Sequence, residues 1–432
     1  MVNILVILLA ISTFAFATIS FTLYKRHGIL SNIGAIAILN YIAIQPLSGI
    51  FHMSGLNKGY RGHFDIIEHG AKEAVFATAA AIIGGICLSA GVMVGKRSYS
   101  INIPKSSYWL SNRERIVILI IGTVLVVVAL YALSVLASSS ALLRAQRIIS
   151  LDGGLARFSF ISHWFAWGVA LIALVLVGHK KEPYSLFTLF VIAVCTIAVA
   201  LSLSWSGGRS IVLVMTLPLI LTLWPRLKQL RWLAAIGGVV AMTAYIVSLS
   251  IGRSRGLTAN TGFEVGRWLD WEWGRFSMTG AAVQYTEQQG FLFGETFVRG
   301  GTQAVISALG FLGIRTGNFD GLSSTAVASR VISGDFETIY IVPGLTSELF
   351  MNFGIIGVAI GYFLFGMLCN IVQVQLHRCE SVINRLFWNY VGVLLIFRIM
   401  PSDSGSFAFY LLYSGLPILV LSVLWTFYRK AR

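Results

Sequence analysis

Residues 252–276 read GRSRGLTANTGFEVGRWLDWEWGRF. They open residues 252–344, the one long segment between apolar runs that is too polar to form part of a membrane helix. This segment contains seven arginines and no lysine, and its first part places three tryptophans among acidic residues. Almost all other charged residues lie in short connections, so a chemical site would have to draw heavily on this segment.

The remainder of the chain is typical of a polytopic membrane protein. Of its 432 residues, 56% are hydrophobic and only 11% are charged, whereas soluble domains carry about 25% charged residues. A span needs roughly 20 apolar residues to cross a hydrocarbon core of about 30 Å. We therefore predict an all-α fold with about eleven transmembrane helices (ten to twelve), near 2–24, 29–51, 74–95, 116–137, 160–178, 184–204, 210–225, 232–251, 345–374, 386–400 and 407–427.

This prediction divides the chain into spans 1–8 (1–251), the long, partly helical loop (252–344) and spans 9–11 (345–432). If the N-terminus lies outside, the connections between spans that face inward hold 17 of the 32 Lys and Arg residues. The same connections hold only three of the 17 Asp and Glu residues. Basic residues concentrate on the cytoplasmic side of membrane proteins. The loop should therefore face outward and the C-terminus should be cytoplasmic. The positive charge thus reports topology, and we expect no nucleic-acid partner.

Two spans hold an arginine below the outer membrane surface. Arg209 lies about 16 residues before the inner boundary at Trp224–Arg226, which is roughly 24 Å of helix. Arg398 lies 13 residues beyond Arg385, or roughly 20 Å, with Asp403 as its nearest candidate counter-charge. Charges at such depth are costly and favour a functional role, although snorkelling to the headgroups is the alternative.

Most basic residues outside the inward connections are arginine: 13 of 15. Arginine grips phosphate with two parallel hydrogen bonds and loses less hydration than lysine does. Arginines with nearby tryptophans suit a ligand that has a phosphate head, a lipid tail and sugars. No Cys/His spacing indicates zinc, and no glycine motif indicates a nucleotide, so we expect neither metal nor cofactor. For His52, His63 and His69, a mixed-charge loop is favoured over a metal site.

Three motifs resemble those of bacterial oligosaccharide repeat-unit polymerases (the Wzy-type O-antigen polymerases). They are SGGRS before the seventh span, GRSRG at 252–256, and TSELFMNFGIIGVAIGYFLFG at the ninth span. The resemblance implies the architecture of GT-C-like O-antigen polymerases and ligases. It also implies a glycosyltransferase of the bacterial inner membrane that extends glycans carried on polyprenyl diphosphate, alongside a chain-length regulator.

Under this resemblance, arginines would stabilise the diphosphate leaving group and an acid or histidine would take the acceptor proton. The candidate bases are Glu348, Asp270, Glu272 and His163. The candidate diphosphate-binding residues are Arg157, Arg209, Arg253, Arg255, Arg275, Arg299 and Arg398. Trp268, Trp271, Trp273 and Tyr285 offer apolar faces for sugars.

Two other functions fit the same pattern. An O-antigen ligase would use similar arginines but a different acceptor, the lipid A core. A flippase for lipid-linked oligosaccharides would place ionisable residues and broken helices near the membrane midplane. Proline interrupts three predicted spans, at Pro46, Pro218 and Pro417, but the sequence places acids and lysines outside them.

Overall fold

The computed structural model describes residues 1–27, 32–55, 71–94, 110–138, 158, 160–177, 185–203, 209–230, 274–311, 314, 323–333 and 342–430. Every regular element in these ranges is helical, which confirms the all-α prediction. The α-helices are α1 (Val2–His27), α2 (Ile33–Ile42), α3 (Ser48–Met53), α4 (Ala71–Val94), α5 (Asn112–Ser138), α6 (Trp164–Val177), α7 (Ser185–Leu203), α8 (Arg209–Leu223), α9 (Phe276–Gln289), α10 (Glu295–Phe311), α11 (Ser324–Ser333), α12 (Leu345–Arg378), α13 (Val382–Leu394), α14 (Ser404–Phe409) and α15 (Leu416–Lys430). Wider π-helical turns occupy Ala43–Leu47, Leu395–Ile399 and Tyr410–Ser414, and a 3-10 turn occupies Trp224–Leu230.

Within the described ranges, eight helices are long and apolar enough to cross a membrane: Val2–Leu23, Ile33–Met53, Ala71–Val94, Asn112–Leu136, Phe160–Val177, Leu186–Leu203, Leu345–Arg378 and Val382–Ile399. They match predicted spans 1–6, 9 and 10. The bent pair Ser404–Ser414 and Leu416–Tyr428, at the eleventh prediction, makes a ninth if counted as one span. The seventh prediction is represented by the shorter apolar helix Ile211–Leu223, and the eighth, 232–251, lies outside the described residues. The chain is therefore a multi-pass membrane protein.

The helices form two compact units, and the first contains Met1–Ile101, Phe263–Gln375 and Leu394–Phe409. Here α1 packs on α2 and α4. The Tyr41 hydroxyl of α2 donates to the carbonyl of Ala81 on α4 at 2.7 Å. Small residues let α4 and α12 touch, since a Cβ on Gly366 would lie 2.8 Å from the backbone nitrogen of Val92. Close backbone approach of this kind is typical of membrane helices.

A π-helical turn joins α2 to α3 at Pro46. Proline has no N–H to give to the helical ladder, and its ring clashes with the carbonyl one turn earlier. A widened turn accommodates both effects. The second π-helical turn, Leu395–Ile399, contacts α2: Asn40 Nδ2 donates to the carbonyl of Ile396 at 2.8 Å.

Helix α12 reverses its direction at Gly354, where φ is 64° and ψ is −153°. Thr346 Oγ1 lies 2.7 Å from the Tyr362 hydroxyl. In a straight helix these two residues would be about 24 Å apart along the axis. Residues 345–353 therefore run back along the longer part, 355–378. Residues 345–352 are all buried in the protein, as a re-entrant segment in a membrane requires.

The predicted glycine pair Gly357 and Gly361 does allow close packing, but the packing partner is this re-entrant segment. A Cβ on Gly357 would lie 2.7 Å from the carbonyl oxygen of Leu349 and 2.6 Å from the Cβ of Phe353. A Cβ on Gly361 would overlap the Leu349 side chain. The glycines thus make room for the chain's own reversal.

The second unit contains Asn102–Gly262, Leu376–Val393 and Tyr410–Arg432. Helices α5 and α6 cross at two glycines, since a Cβ on Gly168 would lie 2.6 Å from the carbonyl oxygen of Gly122. Asn389 of α13 donates to the Thr222 hydroxyl of α8 at 2.9 Å. The Tyr390 hydroxyl donates to the carbonyl of Tyr410 at 2.7 Å. At these two places, buried polar side chains of the unit bond a side-chain hydroxyl and a backbone carbonyl.

Candidate functional site

The first unit brings the start of α9, the start of α12 and residues 400–404 together around Arg275. Arg275 Nε donates to the carbonyl of Pro401 at 2.8 Å, and Nη1 donates to that of Gly274 at 2.5 Å. A Cβ on Gly344 would lie 2.9 Å from the Arg275 Cγ. A side chain at 344 would therefore displace Arg275 from its contact with Gly344, the residue one helical turn before Glu348.

Backbone hydrogen bonds fix the same three segments. Gly344 N–H donates to the Ser402 carbonyl at 2.8 Å, and Leu345 N–H donates to that of Met400 at 3.0 Å. One turn further along α9, the hydroxyls of Thr279 and Ser347 are 3.3 Å apart. These contacts bring together the segments that hold Arg275 and Glu348, although 73 positions separate the two residues in the sequence.

Glu348 is 1% exposed, and its carboxyl oxygens accept hydrogen bonds from two sides. Ser404 N–H donates to Oε2 at 2.8 Å, and the Ser404 hydroxyl donates to Oε1 at 3.0 Å. Thr296 Oγ1 also donates to Oε1, at 3.1 Å. Three donors offset part of the cost of burying a carboxylate. These hydrogen bonds favour the ionised form of the carboxyl, which is the form that a general base needs.

Asn352 orients this group from one turn further along α12. Its Nδ2 donates to Thr296 Oγ1 at 2.7 Å and to the carbonyl of Glu348 at 2.7 Å. Its Oδ1 accepts from Gly294 N–H at 2.8 Å. Since the Thr296 oxygen accepts from Asn352, the single Thr296 hydroxyl proton points to Glu348. The result is a directed chain from Asn352 through Thr296 to Glu348.

Three further charged residues that the sequence analysis singled out, Asp403, Arg299 and Arg398, belong to the same unit. Asp403 interacts electrostatically with Glu348, and its Oδ1 accepts from Ser406 N–H at 2.6 Å. Arg299 lies one turn beyond Thr296 on α10, and Arg398 lies in the π-helical turn Leu395–Ile399. Both arginines are half-buried. Pairing of Arg398 with Asp403 stays a prediction.

His163 belongs to the second unit, where it is buried among aromatic side chains. Its Nδ1 lies 2.7 Å from the Ser414 hydroxyl. Its ring is parallel to that of Tyr410, with centroids 6.1 Å apart. The neighbouring Trp164 donates to the carbonyl of Tyr413 at 3.0 Å. These contacts are those of a packing residue, so they favour anchoring over catalysis for His163.

Several predicted site residues fall outside the described residues: Arg157, Arg253, Arg255, Trp268, Asp270, Trp271, Glu272 and Trp273. Arg209 begins α8, but its side chain is likewise not described. Tyr285, a predicted sugar platform, is 5% exposed. Burial raises the pKa of its phenol, an effect that Arg330 opposes. Tyr285 is therefore a core residue in this structure.

Sequence reasoning missed Thr296, Asn352 and Ser404 as partners of Glu348. Asn352 follows Glu348 by four positions, a spacing that places both on one helix face, so this pairing had a signal. Thr296 and Ser404 are 52 and 56 positions from Glu348. No local pattern connects residues so distant in the chain.

Among the described residues, no three His, Cys, Asp or Glu side chains form a group that could hold a metal ion. Around Glu348 the hydrogen-bond donors are hydroxyls and one backbone amide, and all of them bond the carboxyl oxygens. The chemistry that this group offers is therefore that of a proton acceptor. The chain matches no protein-family model, no curated protein and no solved structure.

Proposed function

We propose that this protein is a membrane glycosyltransferase that joins oligosaccharide repeat units carried on polyprenyl diphosphate. The observation that carries the proposal is the Glu348 carboxyl, which is buried and held by three donors, four residues after Gly344, the glycine that Arg275 contacts. The outer face of a bacterial cytoplasmic membrane is the proposed location. The motifs at 206–210, 252–256 and 346–366 supply the family resemblance.

In the proposed reaction Glu348 is the general base. The acceptor sugar hydroxyl gives its proton to the carboxylate while its oxygen attacks the anomeric carbon of the donor glycan. The bond from that carbon to the phosphate oxygen breaks, and its electron pair leaves with the polyprenyl diphosphate. A positioned base contributes about 10²- to 10⁴-fold to such a rate. The proton, the new bond and the leaving group are then all accounted for.

Arginine would stabilise the negative charge that develops on the diphosphate. Arg275 is the described arginine best placed for this role, because two of its N–H groups are fixed on carbonyls and its position is therefore set in advance. Arg299 and Arg398 are half-buried in the same unit. The leaving group can thus be neutralised by side chains of this protein, without a metal ion.

Acceptor binding requires a change at Ser404. Glu348 is nearly inaccessible while the Ser404 hydroxyl donates to it. An acceptor hydroxyl would replace that hydroxyl on Oε1, while Ser404 N–H and Thr296 retain their bonds to the carboxylate. Ser404 is therefore the proposed gate residue, and it precedes the glycine that contacts Gly300 on α10.

The decisive experiment replaces Glu348 with glutamine in cells that lack the native chain. Glu348→Gln keeps the size of the side chain but removes the proton acceptor, so the polysaccharide ladder should disappear while inserted protein stays at its normal level. Glu348→Asp should restore a weak ladder. The matched control is Glu287→Gln, because Glu287 is a partly exposed acid that pairs with Lys72 at 2.7 Å. A full-length ladder from Glu348→Gln would refute the role of base.

An O-antigen ligase would use the same chemistry on a different acceptor. Purified protein supplied with lipid-linked repeat units, with and without core oligosaccharide, separates the two. Growth of the glycan by successive units supports the polymerase, whereas transfer only to added core oligosaccharide supports the ligase.

Transport of a lipid-linked oligosaccharide is a second candidate, favoured by the reversal of α12 at Gly354 and by the buried acid beside it. Broken helices and buried acids are typical of transporters. A transporter moves its cargo between two compartments and forms no glycosidic bond. Given purified lipid-linked units in detergent, it would therefore leave the glycan at its original length. A polymerase would still extend them under these conditions.

A further inference from the structure

The turn Gly290–Gly294, which we call the phenyl turn, carries two phenylalanines outward from the protein. Gly290, Phe293 and Gly294 all have positive φ, at 82°, 44° and 93°. The bulky Phe293 rarely adopts such a conformation. It is nevertheless 78% exposed, and Phe291 is also exposed. Packing inside the chain therefore does not explain why the turn presents these rings.

The inner side of the phenyl turn is held firmly on α12. Leu292 N–H donates to the carbonyl of Met351 at 3.0 Å, and Phe293 N–H donates to that of Asn352 at 3.1 Å. Gly294 N–H donates to the Asn352 side chain. The backbone is thus fixed in place. The Phe291 ring lies over Gly354, and the Phe293 ring beside it is exposed.

These rings continue the apolar stripe of α12. Five exposed apolar residues follow one another along α12 at spacings of three or four positions: Ile356, Ile360, Leu364, Leu368 and Ile371. This spacing places them on one face of a helix that is long and apolar enough to span a membrane. In a multi-pass protein such a face contacts lipid. Phe353 lies at the start of this stripe and is also exposed. The phenyl turn adjoins it, because a Cβ on Gly354 would lie 3.1 Å from the Phe291 ring.

Helix α10 extends the same surface beyond the phenyl turn. Val298 and Val305 are exposed and lie on one face, seven residues apart, while Thr296 and Ala304 on the other side are buried. The ring of Phe297 is parallel to that of Phe353. An exposed face of valines beside two phenylalanines would be unfavourable in water.

We propose that the phenyl turn and the Val298–Val305 face of α10 lie in the bilayer and contact the hydrocarbon of one leaflet. The occupant of this surface is membrane lipid, because the surface continues a face that already contacts lipid along α12. Residues 290–305, which the sequence assigns to an aqueous loop, then form a membrane-seated lip. This inference does not depend on the glycosyltransferase proposal, since a transporter would contact lipid in the same way.

The test places a nitroxide spin label on single cysteines of the full-length chain in lipid nanodiscs that hold one copy each. The native cysteines Cys87, Cys195, Cys369 and Cys379 are replaced first. Labels at Phe293→Cys and Val298→Cys are compared with Ile360→Cys as the lipid reference and Gln288→Cys as the water reference. Collisions with oxygen report lipid, and collisions with a water-soluble nickel complex report solvent.

Labels at 293 and 298 should collide with oxygen as often as the label at 360, and should be shielded from nickel. Nickel access equal to that at 288 would overturn the proposal, since it would show the surface in water. Shielding from both reagents would also overturn it, because protein would then cover the surface. Val298→Cys has ordinary helical geometry, so it keeps the test valid if Phe293→Cys disturbs the turn.

Discussion

Replacing Gly354 with alanine tests the reversal of α12 directly. At φ 64° and ψ −153° the backbone lies in a region that is essentially restricted to glycine, and alanine held there costs on the order of 1–3 kcal/mol. Its Cβ would also lie 3.1 Å from two atoms of the Phe291 ring. If the chain instead relaxes to a continuous helix, it loses the three hydrogen bonds from residues 292–294, at about 0.5–1.5 kcal/mol each.

Strained alanine and loss of the three hydrogen bonds each destabilise the protein, together spanning roughly 1–4.5 kcal/mol, so Gly354→Ala should lower the apparent thermal midpoint. The assay heats purified protein in detergent at one fixed rate and measures the monodisperse fraction by size exclusion, since unfolding of such proteins is commonly irreversible. The matched control is Gly301→Ala on α10, where a Cβ would meet nothing within 4 Å. Alanine there should stabilise the helix by about 0.5–1 kcal/mol. A midpoint for Gly354→Ala at or above that of the parent would refute the reversal.

Three further predictions concern the proposed reaction. Arg275→Lys removes the fork that bonds Pro401 and Gly274; losing one charged hydrogen bond costs about 1.5–3 kcal/mol, so the thermal midpoint and the rate of ladder formation should both fall. Arg209→Lys should be clearly impaired and Arg209→Ala worse, at equal levels of inserted protein, because lysine keeps the charge but lacks the planar fork; a full-length ladder from Arg209→Lys would make this residue an anchor. Activity of the purified protein should survive excess chelator, and restoration by magnesium or manganese after chelation would contradict an arginine-only site.

Hydropathy alone predicted most of the helices, because a membrane span must be both long and apolar, and both properties can be read locally. The eight helices that meet this requirement all coincide with predicted spans. The ninth span was predicted as one helix, since residues 349–368 are apolar almost throughout. Its reversal depends on Gly354, on Asn352 and on a turn about 60 positions earlier, and a hydropathy profile does not register such a combination.

The chemistry of the site was predictable by residue type and not by arrangement. Glu348 was one of four candidate bases, and the sequence could not rank them because burial and hydrogen bonding decide which acid can act. The structure distinguishes two of these candidates by their surroundings. His163 packs between aromatic rings and bonds a serine hydroxyl, whereas three donors converge on Glu348.

The reversal of α12 connects the fold to the proposed chemistry. A straight helix would place Glu348 six residues, or roughly 9 Å, beyond Gly354 along the axis. The reversal instead brings it back beside the span, level with the stretch that packs on Leu349 and Thr346. There, Asn352 bonds both the phenyl turn and Thr296, and Thr296 bonds the carboxyl. One amide therefore couples the proposed lipid-contacting lip to the proposed base, so a substitution that loosens the lip should also misdirect Glu348.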